Sequence, residues 1–225
     1  MIPLFKTHFS IGKSILRLED VKRIADDNKI DEIYLVEDSM TGFPEAFRLF
    51  GERLRFGLRL SIFNDDESPD SESKIVAYPD GDEGCKELYK LHTQSFDKKI
   101  KTPWFDYKNI KFCIPFYDSF LHKNLVGFCN CMPKLPDQIW FCLEDNGLPY
   151  DGILRSRVEE FIKNNPNPSV EVKSIFYENR EDVEAFQTYK CICNRQPGRQ
   201  ASLSNPRLDH FGSDRFCVEA WKEDK

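Results

Sequence analysis

The chain has 225 residues, 40% of them hydrophobic, with 32 Lys and Arg against 38 Asp and Glu for a formal net charge of -6. That length suits one compact domain, or at most two small ones. A mean hydropathy of -0.55 and the absence of any apolar run near the roughly 20 residues of a bilayer span exclude a membrane protein of the helical kind, and the acidic balance argues against an autonomous nucleic-acid binder.

Pro3 to Phe5 is a short apolar run and predicts a first strand. Apolar positions at Leu18, Val21, Ile24 and Ala25 have helical spacing, with Glu19 and Asp20 in the first turn to favour the helix dipole. Ile33 to Val36 predicts a buried strand, and Pro44 to Phe50 a helix opened by proline at its first position. Phe56 to Ile62 is a third strand. The order βαβαβ with short connections implies parallel strands covered by helices.

Asn64 to Ser73 is acidic and polar, the composition of a solvated loop. Beyond it come a strand at Lys74 to Tyr78, a run from Glu83 to Leu91 that leads into another helix, and strands at Lys111 to Pro115 and Gln138 to Leu143. Arg155 to Lys163 predicts an amphipathic helix stopped by Asn164 to Pro168. A strand at Val170 to Phe176 and a helix at Arg180 to Tyr189 close the list. With no low-complexity linker, residues 1–225 read as one continuous domain.

Eight cysteines raise the question of a metal or disulfide framework. None has the C-x2-C spacing of a zinc knuckle; Cys129/Cys131 and Cys191/Cys193 are C-x-C pairs. Residues two apart on a strand share a face, so buried reduced thiols are expected. The start, Met1 to Phe5, lacks the charged region and long apolar core of a secretory signal. A reducing cytoplasm is therefore the expected compartment.

Gly12-Lys13-Ser14 has the ending of a phosphate-binding loop, but that motif needs a glycine where Thr7 stands. No nucleophile elbow, zinc-binding His pair or dinucleotide fingerprint is present. Of the four histidines, His92 falls on a predicted helix and His122 near a turn, as surface or satisfied core. His8 follows a strand end, where αβ folds place their chemistry.

Several of these segments, in order, resemble the polymerase-and-histidinol-phosphatase (PHP) domain, in the version that opens the alpha subunit of bacterial DNA polymerase III. Lys6-Thr7-His8 stands where the family has His-x-His, with Ser14-Ile15-Leu16 and a helix after it. Glu37-Asp38-Ser39 matches Thr-Asp-His, and Gly57-Leu58-Arg59 matches Gly-x-Glu. Glu83-Gly84-Cys85-Lys86-Glu87-Leu88 is similar to a family helix, and Cys142 to Gly147 to a Glu-Leu-Gln-x-His-Gly segment. Ser174 to Asp182 resembles the late Asp-x-His motif, and Asn205 to Phe216 the stretch leading towards the polymerase module.

The resemblance implies an α/β fold, a distorted barrel of about seven βα units, with a relic pocket at the strand C-terminal ends formed by Lys6, His8, Asp38, Ser39, Arg59, Glu144, Asn146, Ser174 and Phe176. In the family such positions hold up to three divalent ions, zinc or manganese, that activate water against a phosphoester. Only His8 and Asp38 survive as ligands, whereas even one catalytic zinc takes three. Lys6 and Arg59 bring positive charge where a dication would sit, so no metal, no other cofactor and no catalysis are expected. Two uses remain for the vacated pocket: an internal ion pair of Lys6 or Arg59 with Asp38 or Glu144, which is favoured, and phosphate binding by Lys6, His8 and Arg59.

The implied role is a non-catalytic docking module for a separately encoded replicative DNA polymerase, as in a split gene of a phage or mobile element, with DNA touched indirectly if at all. One alternative is a phosphoesterase or 3′–5′ exonuclease with zinc or manganese on a site rebuilt from Glu37, Asp38, Glu144 and His8. Another is an interaction module unrelated to replication.

Overall fold

A computed structural model describes residues 1–64, 71–129, 131–193 and 213–225. Seven strands close into one barrel in sequence order: β1 (Ile2–Phe5), β2 (Ile33–Glu37), β3 (Leu54–Ile62), β4 (Ser73–Pro79), β5 (Ile110–Ile114), β6 (Trp140–Leu143) and β7 (Ser169–Ile175). Closure is by parallel pairing of β1 with β7, Phe5 opposite Ile175. Around it lie α1 (Leu18–Asp27), α2 (Phe43–Phe50), α3 (Gly81–Asp97), α4 (Pro103–Asp106), α5 (Phe120–Gly127), α6 (Asp151–Asn164), α7 (Val183–Cys193) and α8 (Val218–Asp224). The acidic loop expected at Asn64 to Ser73 falls largely outside the described residues.

The α/β barrel of seven strands agrees with the expectation, but not every strand belongs to a parallel βα unit. β4 runs antiparallel to both neighbours, with Arg59 opposite Val76 and Val76 opposite Cys113. Segment 63–72 between β3 and β4 is shorter than the dozen or so residues a parallel crossover takes, so the chain turns back instead. Lys74, at the start of β4, therefore reaches the same end of the barrel as the C-terminal ends of the other six strands.

Local rules account for the first βα unit. The Arg17 amide donates to Asp20 Oδ2 at 2.9 Å, occupying an otherwise orphaned group at the start of α1. Leu18, Val21, Ile24 and Ala25 are buried beneath that helix, the face their spacing predicts. Gly57 has a packing reason: a Cβ there would lie 2.7 Å from the Tyr78 ring and 2.8 Å from Val76. The ring of Tyr78 thus fills the middle of the barrel because β3 carries no side chain opposite it.

His122 stands in the first turn of α5, just after the turn at 117–118 and near a turn as expected, and Ser119 Oγ accepts from its amide. One reading is corrected. The C-x-C pairs are not on strands: Cys191 and Cys193 end α7, while Cys129 and Cys131 follow α5. All eight cysteines are free thiols, Cys113 and Cys142 meeting at 3.2 Å on adjacent strands. Finally, whereas residues 205–212 of the tail lie outside the described residues, 213–225 are built into the barrel. The Phe176 amide donates to Phe216 O at 2.9 Å, Trp221 is 2% exposed, and buried Lys173 pairs with Asp224 at 2.7 Å. Among the described residues no helix is long and apolar enough to cross a membrane.

Candidate functional site

Alternate residues of a strand share a face, so each strand carries into the barrel a graded series. Leu4 leads to Lys6, Val36 to Asp38, Gly57 to Arg59, Cys142 to Glu144 and Val172 to Ser174. The series is apolar in the middle and charged at the C-terminal mouth, the end where barrels of this kind place chemistry. A cavity of about 390 Å³ opens there, between the strand ends, the C-terminal part of α3 and α7.

Lys6 forms its floor. Its side chain is 5% exposed, and Nζ lies 2.8 Å from Asp38 Oδ1, whose side chain is 36% exposed. Burial pulls the Lys6 pKa down, further than Asp38 lifts it, and Arg59 adds repulsion. Burial works against the Asp38 carboxylate as well, but Lys6, with Arg59 and Lys13 near, outweighs it and holds its pKa below the ordinary value. The asymmetry follows from exposure: water still reaches the carboxylate, while the ammonium depends on its partner.

Arg59 pairs elsewhere than expected. Its Nη2 donates to Asp118 Oδ2 at 2.8 Å and to the Tyr117 carbonyl at 2.9 Å. The Asp118 amide in turn donates to His122 Nδ1 at 3.1 Å, which fixes that imidazole as an acceptor. Burial lowers the His122 pKa, consistent with a neutral ring.

The other carboxylates at this mouth are each held by protein donors. Glu144 is buried; it accepts from the Ser174 amide at 3.1 Å, Ser174 Oγ at 3.0 Å and Asn146 Nδ2 at 2.9 Å. Burial raises its pKa despite those donors. Glu37 turns to the other side of β2, where the Thr7 amide (2.8 Å), Thr7 Oγ1 (2.6 Å) and Ser10 Oγ bond to it. Burial raises its pKa too.

The nine residues singled out from sequence therefore divide. Lys6, Asp38, Arg59 and Phe176 line the cavity. Glu144, Asn146 and Ser174 form a hydrogen-bonded group inside the barrel wall, extended by Tyr117, whose hydroxyl accepts from Asn146 Nδ2 and donates to Asp151. His8 is exposed, with its ring 4.4 Å from that of Phe9, and does not line the cavity. Ser39 Oγ bonds to Thr41 Oγ1 at 3.1 Å.

Sequence reasoning missed Asp118, Lys74, Lys98, Lys190 and His92, all of which line the cavity. No local pattern marks them; β4 reversal brings in Lys74, the loop after β5 brings in Asp118, and packing of α3 and α7 brings the others. Lys13 also lines it, although the loop holding Gly12-Lys13-Ser14 does not have the phosphate-loop glycine pattern.

These residues do not fit a divalent ion. Among the described residues no group of three or more His, Cys, Asp or Glu side chains is placed to hold one. The four-residue set Glu37, Asp38, Glu144 and His8 is dispersed: one faces outward from the barrel, one pairs with Lys6, one is saturated by Ser174 and Asn146, and one is exposed to solvent. An ammonium group stands 2.8 Å from Asp38, so a dication at that carboxylate would meet like charge. No protein-family model and no curated protein matches the chain.

Proposed function

We propose that this chain is a non-hydrolysing barrel of the PHP pattern, a structural module that docks on a separately encoded replicative DNA polymerase. One observation carries the non-catalytic part: Lys6 Nζ sits 2.8 Å from Asp38 at the barrel mouth, with Arg59 on Asp118 beside it. A hydrolytic metal centre needs carboxylates and imidazoles left open to the ion. Here each nearby carboxylate already has a donor. The polymerase as partner is carried by the ordered motif resemblance, from Lys6-Thr7-His8 to Ser174-Ile175-Phe176.

The test combines metal content by mass spectrometry, 3′–5′ exonuclease assays with zinc or manganese, and co-purification with the polymerase of the same source. Substoichiometric metal, no hydrolysis and a stable complex are the expected results. Stoichiometric metal with activity lost in Asp38→Ala would overturn the non-catalytic reading, and the absence of any complex would overturn the docking role.

A further inference from the structure

The cavity concentrates charge of the opposite sign to the chain as a whole. Six cationic side chains line it, Lys6, Lys13, Arg59, Lys74, Lys98 and Lys190, against the carboxylates of Asp38 and Asp118, in a protein of net charge -6. Lys6 is paired with Asp38, Arg59 with Asp118 and Lys74 with Glu72. Lys13 and Lys98 are exposed and make no ion pair among the described residues. Cations gathered around a partly enclosed space repel one another, and a multiply charged anion relieves that repulsion.

The rim adds a second chemistry. Phe96 is 76% exposed and lines the cavity, with His92 edge-on to it at 4.9 Å. Phe63 lines the same cavity, with Lys99 Nζ 5.1 Å from its ring centroid. A nearly uncovered phenyl ring at the lip of a cationic cavity is costly in water and gains by stacking on a flat ring. The volume, about 390 Å³, lies within the range of small-ligand sites, which run from roughly 300 to 1,000 Å³. The cavity also continues past Phe63 and Phe96 into a second groove along Lys98, Lys99 and Lys101.

We propose that the C-terminal mouth of the barrel binds a nucleotide, its phosphate between Lys13, Lys98 and the Lys6–Arg59 floor and its base against Phe96. The site holds its ligand without cleaving it. This goes beyond the docking role and does not depend on it, since the argument uses only the cavity. The same chemistry is offered by a free mononucleotide and by a nucleotide within a single strand, whose backbone would follow the lysines of the second groove.

The test is calorimetric titration of the full chain at low salt with inorganic phosphate, thymidine, dTMP and a short oligothymidylate. Saturable binding of dTMP or the oligonucleotide is expected, weakened by salt and by about tenfold or more in the double variant Lys13→Glu, Lys98→Glu. Both positions are exposed, and an unchanged denaturation midpoint certifies that the variant folds. Phe96→Ala should weaken dTMP binding and leave phosphate binding unchanged. Tighter binding by the oligonucleotide than by dTMP assigns the ligand to a strand, and the reverse assigns it to the free nucleotide. Binding by neither, or binding untouched by the double variant, would overturn the proposal; equal affinity for dTMP and phosphate would overturn the role of Phe96.

Discussion

The two mouths of the barrel are built by the same strands and do opposite things. At the N-terminal mouth the inward residues are Ile2, Leu4, Tyr34, Trp140 and Val170, around a cavity of about 800 Å³ whose charged rim residues include Arg55, paired with Glu32, and Lys111, paired with Asp80. At the C-terminal mouth the same strands present Lys6, Asp38, Arg59, Glu144 and Ser174, none of which packs as a hydrophobic side chain. Burying such groups costs free energy that apolar residues would not. A protein selected for stability alone has no need of that arrangement, which is why the proposed site is placed at the C-terminal mouth.

Substitutions at the two levels should separate stability from binding. The largest loss is expected from Gly57→Ala at mid-barrel, where the new methyl meets the Tyr78 ring at 2.7 Å; overpacking of this kind costs about 1–3 kcal/mol. Urea denaturation should show it, and Tyr78→Leu in the same chain should recover part of it. Next comes Asp38→Ala, which strands an ammonium on a side chain only 5% exposed. With the carboxylate about a third exposed to solvent, about 2 kcal/mol is expected, less than for a fully buried pair. Lys6→Met should cost less, because the Asp38 it leaves behind is reached by water. A Lys6→Met loss larger than that of Asp38→Ala would break the account of this pair.

A pH series sharpens the contrast further. Burial raises the Glu144 pKa above its ordinary value of 4.5, so between the two values the folded chain holds a proton that the unfolded chain has released. This group therefore lowers stability as pH rises through that window and returns stability on acidification. Glu144→Gln should remove that component, giving a flatter stability profile just above the ordinary carboxylate range. Asp38 acts in the opposite sense: its lowered pKa contributes stability that persists above 3.8 and is lost as pH falls through the folded value. The smallest effect is expected on the outer surface. Arg23 and Glu178 form a double hydrogen bond there with side chains 50% and 31% exposed, and Arg23→Ala should cost no more than about 1 kcal/mol.

Much of the barrel was legible in the sequence because its signals are local. The α1 face of Leu18, Val21, Ile24 and Ala25 and the runs Ile33–Val36 and Phe56–Ile62 depend only on periodicity and on apolar content. Lys6 with Asp38 was among the pairings expected, since both follow ends of neighbouring parallel strands. Arg59 with Asp118 was not, because 59 residues separate them along the chain and no pattern links a β3 side chain to the loop after β5.

What the sequence determined by itself is the set of elements and the composition of each face: strands and helices in the right order, and polar residues where β1 and β2 end and within β3. The tertiary structure decided the direction of β4, the place of Lys74, Lys98 and Lys190 around one cavity, and the removal of His8 from it. Those outcomes depend on chain length between strands and on how helices α3 and α7 pack over the barrel end. Both are long-range consequences of closing seven strands into a ring, a geometry that no short window of residues encodes.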